Sequence, residues 1–312
     1  MELCEEFFEA NSPPADIQSI TDGVTEFVRE HHINGRRIAM IASGGTTVPV
    51  ERNTVRFLDN FSSGQRGAAS AEYFLAQGYA VIFLHRSSSL KPFQRHCASD
   101  NPLDWLSYGG RKLQVDTATS ENLEGKLASV LPQYIEVKKN NSLHLVPFTS
   151  VFEYFFYLRQ ISNALKPIEK QALFYLAAAV SDFYIKPSDM PQHKVQSSGE
   201  LQLKFSHTPK MLLLLTSKWV PKAFVVTFKL ETEEPLLIPH AKAALDKYHH
   251  QLVVANLLET RRTSVTLVCV ENQETVTMKL STATKVSGIC AVRELEDSIV
   301  SEIVQKHSFF LA

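Results

Sequence analysis

Cysteine is scarce in this chain of 312 residues, and its four copies are widely scattered, at Cys4, Cys97, Cys269 and Cys290. No two of them form a Cys-x-x-Cys pair, so neither a disulfide framework nor a zinc site is expected. Long hydrophobic runs are also lacking, because the most apolar stretches, 211–215 and 172–180, are far too short to cross a bilayer. The sequence therefore predicts no membrane partner.

A surplus of charge of either sign is missing as well. The chain has 32 Lys and Arg against 33 Asp and Glu, a formal net charge of -1 and a pI near 6.8. Without a basic surplus, a nucleic-acid partner is not expected. The first residues, Met-Glu-Leu-Cys-Glu-Glu, are acidic and lack the basic and apolar parts of a signal peptide, which indicates the cytosol.

What the chain does have is an alternation of strand and helix patterns. Helical spacing predicts helices at 16–31, 64–77, 121–130, 151–165, 209–217, 236–248 and 293–306. Apolar runs predict strands at 37–43, 79–84, 143–147, 172–180, 223–230 and 251–255, with a hairpin at 264–270 and 275–280. Such alternation predicts an α/β fold. We expect a Rossmann-like, doubly wound, mostly parallel sheet with helices on both faces and a small C-terminal β-hairpin.

The domain organisation follows from the lack of repeats and clear linkers. We interpret residues 1–312 as a single domain, with residues 1–36 as an N-terminal helical segment. The polar stretch 184–201 follows a buried strand, and we expect it to act as a lid over the active site.

Two loops of glycine and hydroxyl residues precede the predicted helix at 64–77. Ser43-Gly44-Gly45-Thr46 follows a strand, and Asn60-Phe61-Ser62-Ser63-Gly64-Gln65-Arg66-Gly67 opens into the helix. Glycine lets backbone N–H groups approach an anion, and a helix amino end adds unsatisfied donors and a positive dipole. Together the loops predict a nucleotide site at the carboxyl ends of the strands.

The kind of nucleotide chemistry stays open at this point. Neither the dinucleotide fingerprint Gly-x-Gly-x-x-Gly nor a Gly-Lys-Ser/Thr P-loop is present. Arg86 and the serines after it could bind a 2′-phosphate, and Tyr134-x-x-x-Lys138 has a spacing used by reductases, although such pairs also recur by chance. An NADP-dependent reductase is therefore one alternative, and a non-catalytic nucleotide-binding protein is another.

Six short motifs follow one another along most of the chain. They are Ser43-Gly44-Gly45-Thr46, the run from Val55 to Gly64, Ala177-Ala178-Ala179-Val180-Ser181-Asp182-Phe183, the run from His193 to Gly199, Phe228-Lys229-Leu230-Glu231-Thr232, and Val254-Ala255-Asn256. In this order they resemble the phosphopantothenoylcysteine synthetase family from about residue 37 to residue 306. The chain looks like the stand-alone eukaryotic branch, without a fused flavin-dependent decarboxylase.

This resemblance implies a ligase of coenzyme A biosynthesis. The expected reaction joins 4′-phosphopantothenate to cysteine through an acyl-adenylate. It would convert ATP to AMP and pyrophosphate, with Mg²⁺, and CTP is the alternative nucleotide. The resemblance also implies a homodimer, in which Arg56 reaches the substrate phosphate of the neighbouring subunit.

The family's site residues can be carried over position by position. The resemblance implies that Gly44, Ser62, Gly64 and Gly67 bind the nucleotide, with Phe228 and Asn256 around its base and ribose. It implies catalytic roles for Asn60, beside the activated carboxyl group, and for Lys194, in adenylate formation. Substrate would be bound by Arg56, Ala178, Ala179 and Asp182. For Asp182 a salt bridge or a helix cap remains the alternative, and no metal ligands can be identified.

Overall fold

The computed structural model describes residues 2–97, 101–109, 112–115, 121–196, 201–270, 275–279 and 294–312. Its helices are α1 (Glu2–Ala10), α2 (Ile17–Ile33), α3 (Gln65–Ala76), α4 (Glu121–Lys139), α5 (Val151–Leu165), α6 (Leu212–Leu214), α7 (Glu234–Tyr248) and α8 (Leu295–Leu311). The first strands are β1 (Ile38–Ser43), β2 (Thr47–Pro49), β3 (Phe57–Asp59), β4 (Ala80–Arg86), β5 (Leu106–Gly109), β6 (Lys112–Val115) and β7 (Leu143–Phe148). The others are β8 (Ala172–Leu176), β9 (Phe183–Tyr184), β10 (Ser206–His207), β11 (Phe224–Glu231), β12 (Leu252–Leu257), β13 (Ser264–Cys269) and β14 (Thr275–Lys279).

The main sheet has eight strands in the order β14-β13-β12-β11-β8-β1-β4-β7. The six neighbouring strands β12-β11-β8-β1-β4-β7 are parallel, whereas β13 and β14 add antiparallel pairs at one edge. The chain runs outward from β1 through β4 to β7 and then returns to β8 on the other side of β1. This reversal confirms the doubly wound, mostly parallel prediction, and the C-terminal hairpin proves to be part of the same sheet.

Alternate residues of each strand face opposite layers of helices. In β1, Ile38 and Met40 pack into the core shared with α1, α2 and α5, whereas Ala39 and Ile41 pack towards α3 and α8. A smaller cluster joins α7 to β12 and β13. Helices therefore cover both faces, as predicted. Within the described ranges, no helix combines the length and the hydropathy that a bilayer crossing requires.

Several predicted elements have different bounds in the structure. Strand β8 ends at Leu176 rather than at residue 180, because residues 177–180 leave the sheet to follow the glycine loop after β1. Helix α4 continues through Pro132 to Lys139, past the predicted end at residue 130. Only Leu212–Leu214 of the helix predicted at 209–217 is α-helical, and a π-helical turn, Leu215–Trp219, follows it.

Two buried histidines make stability depend on pH. His307 lies between the Tyr79 hydroxyl, 2.8 Å from Nδ1, and the Lys170 carbonyl, 2.7 Å from Nε2. Since a carbonyl only accepts, Nε2 donates to it and Nδ1 accepts from Tyr79. Burial lowers the pKa of His307 and of His250 to about 4 each.

The sign of the pH dependence follows from these pKa values. Both histidines are neutral in the folded and the unfolded chain above pH 6.5, the ordinary pKa, so no stability is lost there. As the pH falls towards 4, the unfolded chain takes up the protons first, and each histidine costs about 3 kcal/mol of stability. We therefore expect the difference in the free energy of unfolding between wild type and His307→Gln, measured with urea, to shrink by about that amount across this window. The exposed His32→Gln is the control, and a difference that stays constant with pH would contradict the assignment.

Candidate active site

The carboxyl ends of β1 and β8 form the point at which the strand order reverses. The segments that follow these strands are tied together by backbone hydrogen bonds. Ala179 N donates to the Gly44 carbonyl at 2.8 Å, and Thr46 N donates to the Ala179 carbonyl at 3.1 Å. Ser181 N adds a bond of 3.0 Å to Thr46 Oγ1. Ligands of doubly wound sheets bind in the crevice at such a point.

Two adjacent glycines bring the first loop into close contact with its neighbours. Gly44 has a φ of +87°, and a Cβ there would lie 2.5 Å from the Cβ of Arg86. Gly45 has the closer neighbour, because a Cβ on it would overlap the carbonyl oxygen of Asn60. The loop thus needs glycine at Gly45 to bring Asn60 against the end of β1.

The second loop packs the amino end of α3 directly onto β1. Gly64 precedes the helix with a φ of +79°, and its N–H points at Ser62 Oγ at 3.4 Å. Ser43 Oγ donates to the Gly64 carbonyl at 3.1 Å. A Cβ on Gly67 would collide with the Ser43 side chain. The structure therefore brings Gly44, Ser62, Gly64 and Gly67 together, with Ser43 as a contact that the sequence analysis missed.

Asn60 is positioned by the short β2–β3 hairpin, which the sequence did not predict. Its backbone N–H donates to the Thr46 carbonyl at 3.2 Å, and its side chain is half-buried at the edge of the crevice. The preceding Asp59 accepts from Arg86 Nη1 at 2.9 Å, and the same nitrogen donates to the Gly45 carbonyl at 2.9 Å. Arg86 thus connects the hairpin to the glycine loop.

This use of Arg86 bears on the reductase alternative. Its side chain is only 11% exposed and is committed to Asp59 and Gly45, rather than turned towards a 2′-phosphate. Tyr134 and Lys138 both lie on α4, where the Tyr134 ring packs against Phe93 at 5.6 Å between ring centroids. Neither feature supports binding of NADP.

Phe228 and Asn256 lie near the carboxyl ends of β11 and β12. The Phe228 ring contacts Tyr175 edge-on, with 4.9 Å between centroids, and the Tyr175 hydroxyl is 2.8 Å from Ser70 Oγ on α3. Asn256 is buried. Phe228 thus lies on the same face of the sheet as α3, so a base beside it would lie on the side of the helix amino end.

Three of the predicted substrate residues, Ala178, Ala179 and Asp182, lie after the carboxyl end of β8. Ala178 and Ala179 are half-buried in the segment that follows β8. Asp182 is exposed and forms a salt bridge with Lys210. The structure thus shows Asp182 in the salt bridge that the sequence analysis gave as the alternative to substrate binding.

Arg56 and Lys194 are brought together by contacts between two loops. Arg56 Nη1 donates to Glu51 Oε1 at 2.7 Å and to the Val195 carbonyl at 3.2 Å, and the side chain is partly exposed. Lys194 is exposed next to Val195. Of the predicted lid, residues 197–200 lie outside the described residues. Glu51 is a further site residue that the sequence analysis missed.

Metal ligands could not be identified in the sequence, and the described residues do not add any. In that part of the chain, no three His, Cys, Asp or Glu residues are grouped as a metal site. Mg²⁺ in nucleotide sites usually keeps several waters and binds phosphates with one or two carboxylates, so a dedicated protein cage is not required.

The chain is similar to known proteins over most of its length. Residues 158–305 match the family described as DNA/pantothenate metabolism flavoprotein C-terminal domain. The human phosphopantothenate–cysteine ligase is 41% identical over 280 residues, 89% of this chain and 88% of the relative. The phosphopantothenate–cysteine ligase CAB2 of Saccharomyces cerevisiae is 38% identical over 329 residues, 99% of this chain and 87% of the relative.

A solved structure extends the similarity to the backbone. A Cab2 mutant in complex with phosphopantothenate-cysteine superposes with a TM-score of 0.86 at 39% identity, covering 98% of this chain and 98% of that chain. Similarity in sequence and in structure therefore spans the sheet, the glycine loops and the segments around Arg56 and Lys194. The chain belongs to the phosphopantothenate–cysteine ligases, enzymes of coenzyme A biosynthesis.

Proposed function

We propose that this ligase joins 4′-phosphopantothenate to cysteine in two steps, with ATP as the activating nucleotide. In the first step a carboxylate oxygen attacks the α-phosphorus of ATP, and pyrophosphate leaves. In the second step the cysteine amine attacks the carbonyl carbon of the acyl-adenylate, AMP leaves, and the amine loses a proton. Residues 1–312 would act as one domain, in the cytosol.

The observation that carries the proposal is the convergence of three features at the switch point of the sheet. These are the loop at Gly44 and Gly45, the amino end of α3 after Gly64, and the Asn60 side chain. Backbone N–H groups and a helix dipole favour a polyphosphate, and an amide side chain beside them can donate to a reacting oxygen. Phosphate binding and a donor for an acyl group thus meet in one crevice.

The nucleotide would lie across the face that carries α3. Gly44, Ser62, Gly64 and Gly67 bind its phosphates, because small residues let the backbone come close to an anion. The base lies beside Phe228, and Asn256 supports the ribose. Mg²⁺ would neutralise part of the charge on the phosphates when it is bound with them.

Asn60 and Lys194 would act on the reacting atoms. The Asn60 amide donates to the acyl oxygen and cannot itself attack the activated carbonyl. The Lys194 ammonium offsets the negative charge that develops at the α-phosphate during transfer. Ala178 and Ala179 leave room for the pantothenate arm, and Asp182 accepts from a hydroxyl of that arm, in exchange for Lys210.

Oxygen-18 tracing tests the acyl-adenylate directly. Phosphopantothenate labelled in its carboxylate is incubated with cysteine, ATP and enzyme, and the nucleotide product is analysed by mass spectrometry. The proposal predicts one labelled oxygen in AMP and release of pyrophosphate that requires both phosphopantothenate and nucleotide. Label in inorganic phosphate together with ADP would contradict it. Competition between ATP and CTP in the same assay measures the nucleotide preference.

We also propose that the active unit is a homodimer. Exposed apolar side chains surround Arg56 on and beside β3, including Phe57, Leu58 and Phe61, of which Phe61 is 91% exposed. Exposed apolar groups clustered in this way are typical of protein interfaces. A guanidinium has five N–H donors, so Arg56 keeps donors for a substrate phosphate beyond its Nη1 contacts.

Mixed dimers test whether Arg56 acts across the interface. Arg56→Ala and Asn60→Ala chains should each be inactive alone. After mixing, half of the dimers contain both chains and each has one complete site, so activity should recover to about one quarter of wild type. Mass measurement in solution confirms dimer formation. Recovery absent from a verified mixed dimer would place Arg56 and Asn60 in the same subunit's site.

A further inference from the structure

Glu51 has a buried carboxylate in the loop between β2 and β3. None of its side chain is exposed. Its Oε2 accepts from Arg56 N at 3.0 Å and from Val55 N at 3.3 Å. Its Oε1 accepts from Arg56 Nη1 at 2.7 Å and from Val195 N at 3.4 Å. A buried charge is tolerated when hydrogen bonds and an opposite charge compensate for the lost water, and Glu51 has both.

The protonation state of Glu51 follows from these contacts. Burial alone would raise the pKa of its carboxyl group, but the backbone N–H and the guanidinium of Arg56 outweigh burial, with help from the Val55 and Val195 amides. The pKa is therefore lowered. At neutral pH the group is a carboxylate that can accept all four bonds.

The segment at residues 191–195, which carries Lys194, depends on this loop. Arg52 N donates to the Pro191 carbonyl at 2.9 Å, and Asn53 N donates to the Gln192 carbonyl at 3.1 Å. Across the ranges that the structure describes, every hydrogen bond of residues 191–195 has its partner between Glu51 and Arg56. The segment contains no helix or strand of its own.

We infer that Glu51 is a positioning residue for Lys194. It binds the amide of Val195, directly after Lys194, and through Arg56 it also supports the carbonyl of Val195. One carboxylate thereby fixes the backbone from which the Lys194 side chain extends, and it orients Arg56 as well. This inference rests on the proposed role of Lys194 in adenylate formation.

Hydrogen exchange tests the structural part of the inference without any assay of activity. In Glu51→Gln, one acceptor oxygen is replaced by an NH₂ donor that must face other donors. We expect the Val195 amide to exchange about 10-fold faster or more in this variant, because its acceptor is lost or displaced. Unchanged exchange at residues 191–195 would overturn the inference. If Glu51→Gln does not fold, Glu51→Asp keeps the charge but shortens its reach, and the same result is expected.

A double-mutant cycle tests the catalytic part. Glu51→Gln alone should lower the turnover number by about 10²-fold, since displacement of a catalytic group by about 1 Å has effects of this size. In a Lys194→Ala background the same substitution should cost at least about 10-fold less, because the group that it positions is gone. An equal loss in both backgrounds would show a general structural role and overturn the inference.

Glu72→Gln is the matched control. Glu72 is also nearly buried and accepts four hydrogen bonds, from the Phe93 amide at 2.6 Å and from Arg95 Nε, Arg95 Nη2 and His96 Nε2 at 2.8 Å each. Its partners lie away from residues 191–195. Its loss should lower Tm without changing exchange at Val195, and its effect on turnover should be the same with or without Lys194. Wild-type turnover in Lys194→Ala alone would instead refute the proposed role of Lys194, before Glu51 is changed.

Discussion

Lys194→Ala should lower the turnover number by about 10²- to 10³-fold, the effect of removing one donor that stabilises charge in a transition state. Its thermal unfolding should match wild type, because the side chain is exposed and, within the described ranges, takes part in no hydrogen bond or ion pair. Binding of ATP should persist, since the proposal assigns the phosphates to the glycine loops. Pyrophosphate release and calorimetric titration with a non-hydrolysable ATP analogue measure the two quantities.

Lys204→Ala is the control for a general effect of removing positive charge. Lys204 is 78% exposed and pairs with Asp189 at 3.4 Å. Asp189 lies just before the segment that carries Lys194. Its replacement should leave turnover within about 2-fold of wild type, because exposed ion pairs contribute little. Wild-type turnover in Lys194→Ala would contradict the role assigned to this lysine.

Gly45→Ala should have an effect on activity of similar size for a steric reason. The added Cβ would overlap the carbonyl oxygen of Asn60. The backbone of Asn60, and its side chain with it, must therefore move away from β1. We expect a loss of about 10²-fold in turnover. The free energy of unfolding should fall by about 1–3 kcal/mol, because the clash involves backbone that cannot rotate away.

Gly23→Ala provides the comparison, because Gly23 lies inside α2 with His144 Cε1 3.2 Å from an added Cβ. Alanine favours a helix over glycine by about 1 kcal/mol, so stability should change little or increase, and activity should stay at the wild-type level. Unchanged turnover and unchanged unfolding in Gly45→Ala would show that Asn60 does not need its observed position.

The fold could be predicted from the sequence where the hydrophobic periodicity agreed with the residues that begin or end an element. The bounds of α5 were predicted correctly, because its apolar spacing is regular and Ser150 begins it with a capping box to Glu153. Strand β8 was predicted too long because an alanine run looks the same in a buried strand and in a segment that follows a neighbouring loop. The hairpin of β2 and β3 escaped prediction because each strand has three residues.

The candidate site was predictable to a similar extent. Glycine, serine and a helix start are local signals, so the two glycine loops could be identified before the fold was known. The alternative in which Arg86 binds a 2′-phosphate gains no support from the structure, and the partners of Arg86, Gly45 and Asp59, could not be predicted because tertiary packing determines them. Glu51 gave no local signal either, since its contact with Val195 joins residues 144 positions apart in the sequence.

The position of the nucleotide phosphates tests the central claim most directly. A crystal structure of the chain with a non-hydrolysable ATP analogue should show the phosphates within hydrogen-bonding distance of the backbone amides at Gly44–Gly45 and Gly64–Gly67, with the α-phosphate nearest Asn60. Phosphates bound anywhere else on the molecule, with these amides left to solvent, would contradict the account.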